Sequence, residues 1–165
     1  NTNINNTLID NSKRWKKIII SKISSAYQKE NLRKNIEFIT DLINDIYTQN
    51  ICELNISLIK AISKKLELKT RFEISSQLNI DLPRSEKLLK ICNIFNATEY
   101  ISPIGSKEYI ENDNKLGNSN INLKYFDYTP KKYMQNNFNE FISHLSIIDL
   151  IANIGIKKSI EFIES

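Results

Sequence analysis

Apolar residues recur at helical spacing through the first 66 positions. Trp15, Ile18, Ile19, Ile23, Ala26 and Tyr27 form one stripe, and Leu32, Ile36, Ile39, Ile43, Ile46 and Tyr47 a second. Leu54, Leu58, Ile59, Ile62 and Leu66 form a third, so three consecutive helices are expected, the first with Ser12 as its N-cap. Ahead of them, Ile4, Leu8 and Ile9 among asparagines fit an edge strand over 3–9.

At Arg71 the period changes from 3.6 to two. Arg71, Phe72, Glu73 and Ile74 alternate as a half-buried strand does, and Ser75-Ser76 closes the run. The helical stripe returns at Leu88, Leu89, Ile91, Cys92 and Phe95, opened by Pro83 and Ser85 and closed by Asn96, which tolerates left-handed backbone. Thr98 to Ser102 reads as a second strand, and Ile121, Leu123 and Tyr125 of INLKYFDY as a third. The long helical connection from the strand at 71–74 to that at 98–102 favours a parallel pair with a right-handed crossover, a βαβ unit over 69–109. The expected fold is therefore α/β: a Rossmann-like, partly parallel sheet of three to four strands flanked by helices, with a three-helix N-terminal segment. One domain is expected, mainly helical over 1–68 and βαβ-type over 69–165. The aromatic stretch TPKKYMQNNFNEF is expected to cover the strand ends. In HLSIIDLIANIG, Ser146 and Asp149 stand at capping-box spacing, and Gly155 sits where a left-handed residue would end a helix.

Composition narrows the class without naming a function. Among 165 residues, 41% are apolar and 25% charged, enough for a real core, and no run approaches the roughly 20 apolar residues of a membrane span. The net charge of +4 comes from basic residues scattered over helix faces, which argues against a nucleic-acid partner. Cys52 and Cys92 fall in helical patterns and are expected to be buried free thiols. With one histidine and no CxxC, no metal site is expected. The chain opens NTNINN, without Met or targeting segment, and reads as a fragment.

Candidate chemistry gathers where strands end, because open parallel sheets bind ligands beyond their carboxyl edges. Those ends would carry Ser75 and Ser76, then Ser102, Gly105 and Ser106, then Asp127. Tyr109, one turn into the following helix, would add an aromatic wall and a phenol. Gly105 is expected at a sharp turn that a β-branched residue would not tolerate. Asp127, between Phe126 and Tyr128, is either a buried carboxylate with a raised pKa or a turn residue. His144, the single histidine, is either a general acid or base or simply the residue ahead of the last capped helix. Arg84 could reach an anion from its helix start or stand as a surface partner of Glu86.

In order and spacing, these stretches resemble the WbqC-like family, found among bacterial genes for O-antigen and other surface polysaccharides. The resemblance is carried by LIDNSKRWKK, ISSAYQKE, LNISLIKAISKKL, EISSQL, RSEKLLKIC, YISPIGSKEYI and HLSIIDLIANIG. Family members open with a His-Gln-Pro and Tyr-Leu-Pro-Trp type of segment on a first strand, absent here, so the chain looks like the C-terminal two thirds. The family turn is richer in glycine than Ser102-Pro103-Ile104-Gly105-Ser106, and the family more usually has no histidine where His144 stands. The resemblance implies a cytoplasmic, transferase-type enzyme of O-antigen, lipopolysaccharide or other surface-polysaccharide biosynthesis, acting on an activated sugar or its amino substituent. The alternative is a noncatalytic subunit that binds a sugar nucleotide or a partner protein. A small-molecule substrate such as a nucleotide sugar is implied, no cofactor is indicated, and self-association is expected where the absent strands would dock.

Overall fold

The computed structural model describes residues 3–113, 115–136 and 139–165. Among them six α-helices and two β-strands form: α1 (Trp15–Ala26), α2 (Glu30–Asp45), α3 (Ile51–Lys65), α4 (Arg84–Ile94), β1 (Glu99–Pro103), α5 (Lys107–Asp113), β2 (Asn122–Phe126) and α6 (Ile147–Glu164). The chain divides into two compact units, one of Asn1–Phe72 with Pro130–Ser165 and one of Glu73–Thr129. No helix among the described residues is long and apolar enough to cross a membrane.

The first unit is built around α2. Leu32, Ile36, Ile39 and Ile43 repeat at four, three and four residues, which keeps them on one helix face, and all four are buried. Three of them join Leu66, Ile151 and Ala152 in the core, with Trp15, Ile23, Leu58, Ile62 and Ile147 packed around it. Each such side chain contributes on the order of 1.5–3 kcal/mol on burial. Asn50 caps α3 by accepting bonds from the amides of Cys52 at 2.8 Å and Glu53 at 3.2 Å. Glu67 then turns left-handed, and Leu68 N–H closes on Ser63 C=O at 3.0 Å.

Two local expectations need correction in this unit. Ile4–Asn6 forms a single 3₁₀ turn rather than an edge strand, and Leu8 makes an isolated antiparallel bridge to Asn50. Ser12 does not cap α1, where Arg14 holds the cap position. It donates its amide to Asp10 Oδ1 at 3.1 Å, and with it the hydroxyl bond that holds the Asp10 carboxyl below its ordinary value. Gly155 adopts the positive φ expected of it, at 76°, and ends the first helical stretch of α6, with a second helical stretch beginning directly beyond the kink. Asn35 Nδ2 supports the kink by donating to Ala152 C=O at 2.8 Å.

Ser146 caps α6 as expected, accepting from Ile148 N–H at 3.3 Å. Asp149 does not complete a capping box. It is 3% exposed and takes bonds from Tyr27 Oη at 3.0 Å, Tyr133 Oη at 2.7 Å and Gln135 Nε2 at 3.1 Å. Two of those donors come from the aromatic stretch expected over the strand ends, whose residues 137 and 138 lie outside the described residues.

In the second unit β1 and β2 pair in parallel, from Glu99 with Asn122 to Pro103 with Phe126, and α5 forms the crossover. Asn96 ends α4 in the left-handed conformation expected of it (φ 51°), with Ala97 N–H bonded to Cys92 C=O at 2.8 Å. Both cysteines are free, and Cys92 is buried. The strand expected at 71–74 has no ladder among the described residues, and Ser75–Leu78 is a 3₁₀ turn. The sheet there is thus two-stranded rather than three- to four-stranded. Four alternating residues define a face but not a neighbour to bond with, so the pattern alone could not place that segment in a sheet.

Candidate functional site

The parallel pairing sends both carboxyl strand ends to one edge, where Pro103 and Phe126 are opposite and Ile104 and Asp127 follow them. Ser102 and Asp127 are thereby brought to adjacent strand ends, as the sequence suggests. Ser75 and Ser76 are not, because they lie exposed on a 3₁₀ turn that follows no paired strand. Gly105 and Ser106 belong to a second 3₁₀ turn, Ile104–Ser106, that runs directly into α5. That correction removes the strain expected of Gly105: its φ is not positive, and an added Cβ would meet nothing within 4 Å. Tyr109 stands 40% exposed on α5.

Alternation along the two strands separates an inner from an outer face. On β1 Ser102 is buried between exposed Ile101 and Pro103, and on β2 Leu123 and Tyr125 are half-buried between exposed Asn122, Lys124 and Phe126. Outside, Glu99 accepts from Asn122 Nδ2 at 3.1 Å and pairs with Lys124. Inside, Ser102 and Tyr125 are register partners. Lys107 Nζ lies 5.8 Å from the centroid of the Tyr125 ring and 3.9 Å from the Glu111 carboxylate. Burial pushes the Tyr125 phenol above its ordinary value, and the charges of Glu111 and Tyr109 push it further. The edge therefore offers hydroxyls, a lysine–glutamate pair and aromatic walls, with the rings of Phe126 and Tyr128 6.2 Å apart on either side of Asp127.

His144 belongs to the helical unit, where it is exposed at φ 59° with Nδ1 3.0 Å from Ser143 Oγ. An open cavity of about 650 Å³ in that unit is lined by Lys34, Phe38, Lys65, Lys157 and Ile160 among others, and by none of the expected site residues. Among the described residues no group of three His, Cys, Asp or Glu could hold a metal ion. Two features escaped the sequence reading. Tyr125 carried a signal, since the alternation that places Ile121 and Leu123 inward places its phenol inward too. Asp149 carried another, as a lone carboxylate within the apolar run IIDLIANI.

The fold defines an α/β protein with a polar, aromatic-walled edge at its parallel strand ends. The chain belongs to the WbqC-like protein family, whose model matches residues 1–161. That match takes in essentially the whole chain and is not confined to a C-terminal two thirds. The chain is 28% identical over 121 residues to the uncharacterized protein Rv1507c of Mycobacterium tuberculosis (strain ATCC 25618 / H37Rv), covering 71% of this chain. It spans about half, 52%, of that curated relative's length. No solved structure matches significantly.

Proposed function

We propose that this protein is a transferase-type enzyme of bacterial O-antigen or other surface-polysaccharide biosynthesis, acting in the cytoplasm on an activated sugar or its amino substituent. Membership of the WbqC-like family supports the biological setting. The observation that carries the site is the parallel register, which puts Ser102 beside Tyr125 and carries Asp127 to the same edge as the Gly105–Ser106 turn. Ser102, Ser106 and Tyr109 would hydrogen-bond the sugar, with Gly105 leaving the turn open beside them. Asp127 is the carboxylate best placed to take a proton from an acceptor group. Ser75 and Ser76 retain a binding role in this reading only through their own turn.

The test is a screen of the full-length protein with nucleotide sugars and with acyl and aminoacyl donors. Turnover that Asp127→Asn abolishes and Asp127→Glu partly restores is the expected result. Saturable nucleotide-sugar binding without turnover, whatever the donor, would instead identify a noncatalytic binding subunit.

A further inference from the structure

Ser102 and Tyr125 share more than their register. Ser102 is 1% exposed, and neither its hydroxyl nor that of Tyr125 has a hydrogen-bond partner among the described residues. Buried hydroxyls are nearly always paired, because leaving one unpaired forfeits its hydration without return. Alanine and phenylalanine would fill the same two positions without that cost, so packing does not account for either oxygen. Both lie on the inner face, directly opposite one another across the ladder.

The start of α5 lies beside Tyr125. Lys107 reaches to 5.8 Å from the Tyr125 ring centroid, and its own contact with Glu111 is long at 3.9 Å, with both side chains about half exposed. Such an ion pair gives way readily, and rotation of Lys107 would uncover the ring of Tyr125.

We infer that the hydroxyls of Ser102 and Tyr125 form the floor of a subsite for the uncharged, hydroxylated ring of a sugar, entered where the Lys107 side chain now lies. The inference rests on the reading of this strand edge as a sugar site, and adds Tyr125 to it. Each hydroxyl both donates and accepts, as do the hydroxyls of a sugar, and the Tyr125 ring offers its face to the C–H side of the ligand. A phosphate is the poorer match, since it is held best by charged donors and Lys107 is offset by Glu111. Because burial and neighbouring charge push the phenol upward, it remains a donor at neutral pH.

Ligand-observed NMR with N-acetylglucosamine, and separately with inorganic phosphate, tests this on the whole chain and on Ser102→Ala, Tyr125→Phe, Lys107→Ala and Asp127→Asn. The sugar is expected to bind the parent chain, and to lose tenfold or more in affinity in Ser102→Ala and in Tyr125→Phe. Both variants should match or exceed the parent melting temperature, since neither hydroxyl has a partner among the described residues. Lys107→Ala should bind the sugar at least as well as the parent, and phosphate should not displace it. Unchanged affinity in both hydroxyl variants, displacement by equimolar phosphate, or no sugar binding to the parent chain would each overturn the inference. Affinity kept in both hydroxyl variants but lost in Asp127→Asn would refute this floor while leaving the strand-edge reading in place.

Discussion

Asp149 accepts a hydrogen bond at 3.0 Å from the hydroxyl of Tyr27, 122 residues earlier in the chain. Its second carboxylate oxygen takes Tyr133 at 2.7 Å and Gln135 at 3.1 Å, and Gln135 in turn bonds the backbone of Ile142 through both ends of its amide. One buried carboxylate thus ties α1, α6 and the irregular segment before α6 together. Removing a donor leaves the carboxylate with one bond fewer at a site closed to water. Tyr133→Phe should cost about 1.5–3 kcal/mol and half-buried Tyr27→Phe rather less, each kcal/mol lowering the melting temperature by roughly 2–4 °C. The double variant should be non-additive, since both donors serve one acceptor. Thermal denaturation of the three variants checks this, and strict additivity would show that the donors act independently.

The same contact carries a pH dependence. Burial first, then the bond to Asp149 and its charge, push the Tyr27 phenol above its ordinary value of 10.0. The folded chain therefore keeps a proton that the unfolded chain releases, and this contribution is complete below pH 10 and lost progressively as pH rises above it. Urea unfolding of the parent and of Tyr27→Phe from pH 8 upward should show a shallower alkaline decline in the variant. Parallel declines would mean that Tyr27 is not the group responsible.

Gly105 and Gly155 should respond in opposite ways to alanine. Gly155 has φ of 76°, and a Cβ there would stand 3.4 Å from Asn35 Oδ1, so Gly155→Ala should destabilise by about 1–2 kcal/mol. Gly105 lies in a 3₁₀ turn with nothing within 4 Å of a Cβ, and Gly105→Ala should be neutral or slightly stabilising through the unfolded chain. Melting curves of the pair decide it; a larger loss at Gly105 would show that the turn is more constrained than its backbone indicates.

Ser85 offers a test of the cost of burying a hydroxyl away from the candidate site. It is fully buried in the first turn of α4, and its Oγ has no partner among the described residues. Pro83 holds the cap position without a side-chain bond, so Ser85 is not acting as the cap its sequence position suggests. Ser85→Ala should then leave stability unchanged or raise it by up to about 1 kcal/mol. A fall of that size on denaturant unfolding would show that the hydroxyl is bonded in solution.

Local chemistry was legible in the sequence wherever neighbours along the chain decide the outcome. The faces of α2 and α4, the left-handed end at Asn96, the cap at Ser146 and the inward alternation of Ile121, Leu123 and Tyr125 all follow from spacings of two, three and four residues. Parallel pairing was expected of the strand at 71–74 with that at 98–102, across α4; among the described residues it forms instead between 99–103 and 122–126, across α5. Only the tertiary structure decided matters that depend on partners distant in sequence. It left 71–74 without a ladder among the described residues, set Ser12 on Asp10, began a second helical stretch directly after Gly155, and drew Asp149 away from Ser146 to Tyr27 and Tyr133. It also left the hydroxyls of Ser102 and Tyr125 facing inward with no partner among the described residues. Local periodicity says which side of an element is buried. What a buried polar group meets there depends on which elements pack against it, and no local spacing encodes that.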